Sequence, residues 1–257
     1  MIRKVALLLL VGMVSACTRV LPPPAPAGHP TLPPDEAWAR VLQRAVDAQG
    51  RVNFALVAQD RIDLESYLTY VAQVSPRSHP ELFPSRWDAL AYYISSYNAL
   101  AMYGVLAAQT PVALNSFPKR ARFFKFTAYR IGGDNISLYD YENALIRPLG
   151  EPRVHFALNC MVVGCPRLPQ APFRAKDLDQ QLAAAATEFC NSAKHVQVHP
   201  EVRVVRFSEI FRFYTKDFVN DRVAPSLIAY VNGFRRQNIP ADFAVEFIPY
   251  DWTINTQ

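Results

Sequence analysis

The stretch SRWDALAYYISSYNALAMYGVLAAQ, residues 85–109, carries the longest helical pattern in the chain. Ser85 and Asp88 have the spacing of a capping pair at a helix start, and the Thr-Pro pair at 110–111 predicts where the helix ends. Most faces of this helix are apolar, so we expect it to be the central buried helix of the fold. Asn98 lies inside the apolar run, and a buried amide needs a hydrogen-bonding partner.

Helical and strand patterns alternate on both sides of this helix. The alternation favours an α+β (or α/β) fold, with a single domain in which a small central sheet is packed by several helices, including the long buried one. Helical spacing recurs in residues 35–50, 60–74 and 175–193, and strand patterns occur in residues 122–133, 153–158, 195–208 and 243–252.

The N-terminus has the pattern of an export signal that ends in a lipidation site. Arg3 and Lys4 precede an apolar run, residues 5–14, that is too short to span a bilayer. Small residues then lead into Cys17, as in bacterial lipoproteins. We therefore predict that residues 1–16 are a signal peptide and that acyl chains such as palmitate on Cys17 anchor the protein to the membrane.

The segment after Cys17 predicts where the protein is held. Residues 17–34 contain seven prolines between Pro22 and Pro34, which predicts an extended tether without core contacts. The globular domain should then span residues 35–257. Thr18 stands where an aspartate would indicate inner-membrane retention, so we expect the outer membrane of a Gram-negative cell envelope, with the domain facing the periplasm.

The charge balance argues against nucleic acid as a partner. Removal of the signal peptide takes away two basic residues and no acidic one, and the formal net charge falls from +5 to +3. That is too mild for nucleic-acid binding. The most basic run, residues 119–130, is typical of a solvated edge strand, although contact with anionic lipid or glycan is an alternative. The expected partners are the membrane and an envelope protein or cell-wall ligand.

A second stretch, HFALNCMVVGCP at residues 155–166, concentrates the reactive side chains. We expect a buried strand over residues 154–158 and a compact loop over residues 159–166. In one interpretation Cys160 is a nucleophile, with His155, Asn159, Asn98 or Asp251 as its catalytic partners. Strand alternation places His155 and Cys160 on opposite faces, so this interpretation needs a break in the strand or a partner from elsewhere in the chain.

Two other interpretations of the same stretch involve Cys165. A disulfide between Cys160 and Cys165 is compatible with the turn that Gly164 allows and with an oxidising envelope. A metal site is disfavoured, because the spacing lacks the close pairs of structural zinc sites. There is no glycine-rich phosphate loop, and the whole chain has nine glycines, so we expect neither a metal nor a cofactor.

Five stretches of the chain together resemble one family, the domain of unknown function 547. The resemblance runs from Trp38 to Asn255, with the motifs in family order, and departs at Asn53, Tyr93 and Met161-Val162. The stretches are VDAQGRVNFALVAQD, ALAYYISSYNALAMYGVL, SLYDYENALIRPLGEPRVHFALNCMVVGCPRL, FSEIFRFYTKDF and IPYDWTIN.

The resemblance implies no activity, because the family has none generally assigned. It does imply an exported single-domain protein, since bacterial members of this kind are common. Two functions remain open: an envelope lipoprotein that binds a protein or cell-wall ligand, and a papain- or transglutaminase-like cysteine hydrolase or acyltransferase. A concave pocket joining Cys160, His155 and Asn98 would favour the enzyme, and a Cys160–Cys165 bridge without a pocket would favour the binder.

Overall fold

The computed structural model describes residues 18–24 and 34–257. The expected signal peptide, the expected lipidation site Cys17 and residues 25–33 lie outside this part of the chain. No helix within the described residues is long and apolar enough to cross a membrane.

Helices dominate the described chain, with a few short strands between them. The elements are β1 (Arg19–Leu21), α1 (Pro34–Ala45), α2 (Phe54–Gln59), α3 (Ile62–Gln73), α4 (Arg86–Ala107), α5 (Phe117–Phe124), β2 (Thr127–Ile131), β3 (Asp134–Ser137), α6 (Leu138–Asp140), α7 (Leu178–Asn191), β4 (Val196–His199), β5 (Val204–Ser208), α8 (Glu209–Phe213), α9 (Thr215–Phe218), α10 (Leu227–Asn232) and β6 (Ala244–Ile248).

The predicted central helix is α4, and it is buried as expected. Ser85 caps it by accepting a hydrogen bond from the Asp88 backbone N–H, while the Asp88 carboxylate accepts one from the Ser85 N–H. Ile94 and Leu90 in its middle are fully buried. Side chains of α1 and α3 join α4 in the larger of two hydrophobic clusters, which forms the main core.

A second hydrophobic cluster lies between β5 and the helices of the C-terminal half. Four phenylalanine rings pack there, each with its centroid within 6 Å of at least one of the others, and all four are almost fully buried. They are Phe156, Phe207, Phe211 and Phe218. Phe156 belongs to this cluster whereas its neighbours Val154 and Ala157 belong to the main core, so the predicted reactive stretch lies between the two.

The strands form two three-stranded sheets. In the first, β2 lies between β1, which is parallel to it, and β3, which is antiparallel. In the second, β5 pairs with β4 as the predicted hairpin and with β6 in parallel. The α+β class with one long buried helix is confirmed, and its sheet component is divided between these two small sheets.

The predicted strand over residues 154–158 is wrong. Residues Pro152–Phe156 form a 3₁₀ helix. Pro152 fixes a helical φ at the first turn, and the Glu151 side chain caps the turn by accepting a hydrogen bond from the Arg153 N–H. The compact loop expected over residues 159–166 is present, and it already begins at residue 157. Strand alternation therefore does not decide where the His155 side chain points.

The basic run is also different from the predicted edge strand. Its first half is α5, which Ser116 begins by accepting a hydrogen bond from the Lys119 N–H. Pro118 occupies the first turn, where a missing N–H costs nothing. The strand β2 starts only at Thr127.

The segment after Cys17 was expected to have no core contacts, and this is wrong for its first residues. Arg19–Leu21 pairs with β2, and the Leu21 side chain is only 5% exposed within the main core. The Pro22 and Pro24 carbonyl groups accept hydrogen bonds from Tyr103 and Thr69. Residues 19–22 and Pro24 thus contact the domain.

Replacing Leu21 with Ala should lower the free energy of unfolding by about 2–4 kcal/mol, because it leaves a cavity in the main core. Val20→Ala is the matched control, since Val20 on the same strand is 45% exposed, and it should change stability by less than about 0.5 kcal/mol. Urea unfolding measures both variants. Equal effects in the two would contradict the packing of β1 against the domain.

Candidate functional site

The two cysteines of the loop face each other. Their Sγ atoms lie 2.9 Å apart, and the Cys160 backbone N–H donates to the Cys165 Sγ at 3.1 Å. Both cysteines are free and buried, with Cys160 at 9% exposure and Cys165 at 2%. A disulfide needs sulfurs about 2 Å apart, so a small movement of either side chain would join them.

Asn159 holds the loop in the conformation that brings the cysteines together. Its side-chain carbonyl accepts a hydrogen bond from the Met161 N–H at 2.8 Å, and its amide donates to the Pro166 carbonyl at 2.7 Å. Met161 has a φ of 67°, in the left-handed region that non-glycine residues rarely adopt. The buried Asn159 therefore stabilises a strained turn between the two cysteines.

Asn98 attaches this loop to the central helix. Its amide donates to the Ala157 carbonyl at 3.0 Å, and its side-chain oxygen accepts from the Asn159 N–H at 2.7 Å. Asn98 is 2% exposed. The expectation that it is buried and bonded to the HFALNC segment is confirmed, and its place is that of a support for the loop.

The C-terminal segment lies along the loop and brings Tyr250 to the sulfurs. Val163 and Gly164 donate backbone hydrogen bonds to the carbonyls of Thr253 and Asp251, at 2.7 and 2.8 Å. The Tyr250 hydroxyl donates to the Cys165 Sγ at 3.2 Å and lies 3.8 Å from the Cys160 Sγ. Gly164 is required, because a Cβ there would come within 2.9 Å of the Tyr250 ring.

These contacts make the two thiols unequal. Burial acts to raise the pKa of Cys165, but hydrogen bonds from Cys160, Tyr250 and the backbone outweigh it and lower the pKa to about 7. The hydrogen bond with Cys165, together with burial, raises the pKa of Cys160 well above its ordinary value. The donors at the Cys165 sulfur thus favour the first negative charge of the pair on Cys165, while the second deprotonation is disfavoured. Cys190, whose pKa burial raises to about 12, shows the behaviour of an inert buried thiol.

A second polar cluster surrounds His155. Its Nε2 lies 2.7 Å from the Asp217 carboxylate, which also accepts two hydrogen bonds from Arg147 at 2.7 and 2.8 Å. Burial opposes the charge on Asp217, but these bonds from His155 and Arg147 hold its pKa well below the usual range. Tyr214 stacks on the imidazole at a centroid distance of 3.8 Å.

Glu142 connects the two clusters electrostatically. This carboxylate is 8% exposed, receives a hydrogen bond from the Tyr97 hydroxyl at 3.4 Å and lies 3.8 Å from the His155 Nδ1. Burial and then the charge of Glu142 raise the pKa values of Tyr97 and Tyr214. The same charge contributes to the raised pKa of Cys160.

The predicted catalytic residues are only partly brought together. Cys160 and Asn159 are adjacent, and Asn98 is hydrogen-bonded to Asn159. The Nε2 atom of His155, however, is bonded to Asp217 and not to a sulfur. Asp251 is exposed, and its carboxylate accepts a hydrogen bond from the Thr253 N–H. Their catalytic roles remain predictions.

Sequence reasoning missed Tyr250 and gave Glu142, Arg147 and Asp217 only surface or structural roles. Tyr250 lies in the IPYDWTIN stretch, and its membership in that family-like motif is the signal that points to it. The other three lie in the YENALIR and YTKDF stretches, which carry the family resemblance. Together, four of the five stretches that resemble the family contribute side chains to these two clusters.

One cavity borders the loop without including the predicted triad. Its volume is about 560 Å³, and Phe156, Pro166, Arg167 and Lys194 are among its lining residues. Cys160, His155 and Asn98 do not line it. Within residues 18–24 and 34–257, no group of three or more His, Cys, Asp or Glu side chains is placed to hold a metal ion.

Comparison with known families supports the resemblance seen in the sequence. The family model described as "Protein of unknown function, DUF547" matches residues 83–190, a segment that includes α4 and both cysteines. No curated protein and no solved structure matches the chain.

Replacing Tyr250 with Phe should raise the pKa of Cys165 from about 7 by about one to two units, because it removes a hydrogen bond to the thiolate. The thiolate absorbance of the reduced protein, followed against pH, measures the shift. Tyr230→Phe is the control, since the Tyr230 hydroxyl has no hydrogen-bond partner among the described residues. An unchanged titration in Tyr250→Phe would contradict a role for this hydroxyl.

Proposed function

We propose that the chain is a member of the DUF547 family, whose model matches residues 83–190, and that it is a lipid-anchored protein of the bacterial cell envelope whose domain binds protein partners through thiol–disulfide exchange at Cys160 and Cys165. The observation that carries this proposal is the 2.9 Å contact between the two sulfurs. Two cysteines that lie five positions apart and can close into a disulfide are suited to transferring two electrons at a time.

The unequal thiols support exchange over a permanently closed staple. A thiolate is the reactive form of cysteine, and the pKa of about 7 provides it near neutral pH. Cys160 is the more exposed of the two residues, at 9% against 2%, so we expect a partner disulfide to meet Cys160 first. Cys165 would then act as the resolving thiol.

The exchange can be written with its protons and electrons balanced. Cys160 passes its proton to the Cys165 thiolate across their contact and attacks one sulfur of the partner disulfide. The partner's S–S bond breaks, and a partner thiolate leaves. Cys165 gives its proton to that thiolate and attacks the Cys160 sulfur of the mixed disulfide, which forms the Cys160–Cys165 disulfide and releases the second partner sulfur as a thiolate. Two electrons pass to the partner, and the reverse sequence oxidises it.

The cysteine hydrolase or acyltransferase is less well supported. Such an enzyme needs a base that takes the proton of Cys160. Among the described residues, the side chains in hydrogen-bonding contact with the Cys160 Sγ are Cys165 and Tyr250. His155, the expected base, is held by Asp217.

The exchange proposal predicts an asymmetry between two cysteine variants. With a model peptide disulfide, Cys165→Ser should accumulate a mixed disulfide on Cys160, because the resolving thiol is missing, whereas Cys160→Ser should trap little. The wild type is also equilibrated in glutathione buffers of increasing redox potential. Cys160 and Cys165 should stop reacting with an alkylating reagent at the same potential, and mass spectra should show them linked by a disulfide.

Cys190 provides the internal control, because it should stay alkylatable after unfolding at every redox potential, and Cys190→Ser should behave as the wild type. Failure of Cys160 and Cys165 to join in oxidising buffer would contradict the proposal. Acylation of Cys160 by an amide or ester substrate, with Cys165→Ser fully active, would favour the hydrolase.

The envelope location is supported by the sequence pattern that ends in Cys17. In cells given a palmitate analogue, the wild type should be labelled, Cys17→Ala should not, and Cys190→Ala should keep its label. Cys17→Ala should also leave the membrane fraction in a high-salt wash with its domain folded, since the described fold begins after Cys17. A wild type without label would contradict the lipid anchor.

A further inference from the structure

The stretch of the chain between α4 and β3 carries basic residues and no acidic ones. No aspartate or glutamate occurs between Asp88 and Asp134, a stretch of the chain that contains α5 and β2. The residues Arg19, Lys119, Arg122 and Lys125, here called the basic face, are all exposed. In the part of the chain that the structure describes, none of the four forms an ion pair.

The helix α5 is amphipathic, with one side packed on the protein and the other exposed to solvent. Phe123 is buried, whereas Lys119 and Arg122, three residues apart, lie on the exposed side with Lys125 just beyond the helix end. Phe117 at its start is 74% exposed, and the Lys125 ammonium lies 5.3 Å above the ring of Tyr139, itself 47% exposed. Basic residues beside exposed aromatic rings are typical of surfaces that lie on the headgroups of a bilayer.

The pairing register of β1 places Arg19, near the N-terminus, next to the C-terminal end of α5. Arg19 pairs with Thr127, and the Arg19 N–H donates to the Phe126 carbonyl at 2.9 Å, directly after the end of α5. Cys17 precedes Arg19 by two residues, which can span at most roughly 7 Å. Acyl chains on Cys17 would therefore enter the membrane next to Lys125 and Arg122.

We infer that the basic face lies on an anionic phospholipid surface when the protein is anchored. The inference rests on the proposed lipid anchor, and the short connection from Cys17 supplies the reason for this occupant. The domain is then held against the membrane, and residues 22–33 connect β1 to α1 and do not separate the domain from the lipid. Each basic residue near an anionic surface strengthens binding roughly fivefold at moderate salt.

This orientation also bears on the cysteine site. Phe124 of α5 packs on Trp252 at a centroid distance of 6.0 Å, and Trp252 packs on Tyr250 at 4.7 Å. The Arg120 guanidinium covers the same Trp252 ring at 4.8 Å. A membrane-bound α5 is thus joined through Trp252 to the residue that contacts both sulfurs, so the thiol pair is presented at a constant distance from the bilayer.

Lysine reactivity tests the inference in the lipidated protein. The wild type is reconstituted into vesicles of phosphatidylcholine alone or mixed with phosphatidylglycerol, and its lysines are acetylated and quantified by mass spectrometry. The acetylation rates of Lys119 and Lys125 should be at least about threefold lower on the anionic vesicles than on the neutral ones, and high salt should remove this difference. Lys176 and Lys216, which lie outside the basic face, should react equally on both. Equal reactivity of Lys119 and Lys125 would overturn the inference.

A second measurement separates the basic face from the anchor. The chain from residue 17 with Cys17→Ser keeps every residue that the structure describes, and it should sediment with anionic vesicles and not with neutral ones. Arg122→Glu combined with Lys125→Glu should weaken this binding about tenfold or more, whereas Lys176→Glu with Lys216→Glu, a matched charge change, should alter it less than about twofold.

Each failure has its own signature in these measurements. Absence of lipid on the wild type would contradict the proposed anchor but not vesicle binding by the Cys17→Ser chain. Equal binding of that chain to both kinds of vesicle, or equal effects of the two charge-reversal pairs in variants with unchanged thermal unfolding, would overturn the basic face as a lipid-binding surface.

Discussion

Two hydrogen bonds made by the buried side chain of Asn98 position everything else in the candidate site. They join the middle of α4 to the backbone at Ala157 and Asn159, just after the 3₁₀ helix ends at Phe156. An apolar residue in its place would leave a buried carbonyl and a buried N–H without partners, at about 1–3 kcal/mol each. The polar residue in an otherwise apolar helix is therefore explained by the loop it holds.

The loop is then completed by the chain end. Tyr250 lies 85 residues beyond Cys165, yet its hydroxyl is the donor that helps to keep the thiolate charged. The backbone bonds from residues 163 and 164 to the C-terminal segment close a very long loop, whose entropic cost must be met by the packing of both hydrophobic clusters. The low pKa of Cys165 is therefore a property of the complete fold, and the HFALNC segment alone cannot produce it.

Patterns with a local physical cause were predictable from the sequence. The capping pair of α4, the 195–208 hairpin and the burial of Asn98 follow from neighbouring residues, and the structure contains all three. The 3₁₀ helix at 152–156 was not predictable from apolar content, because its cause is a proline and a cap that compete with a strand pattern. The contact of Tyr250 with Cys165 depends on how distant segments pack, and no spacing in the sequence encodes it.

The electrostatics of the two polar clusters explain why the pKa values of the two cysteines shift in opposite directions. Arg147 and His155 compensate the charge of Asp217, whereas the nearby Glu142 carboxylate has hydroxyl and imidazole neighbours and no close guanidinium partner among the described residues. Its field disfavours a second negative charge at Cys160. Cys165 instead has Tyr250 and backbone N–H donors at its sulfur. These donors favour the first charge on Cys165 and the proton on Cys160. Attack by Cys160 then requires a proton transfer between the two sulfurs, which their 2.9 Å contact permits.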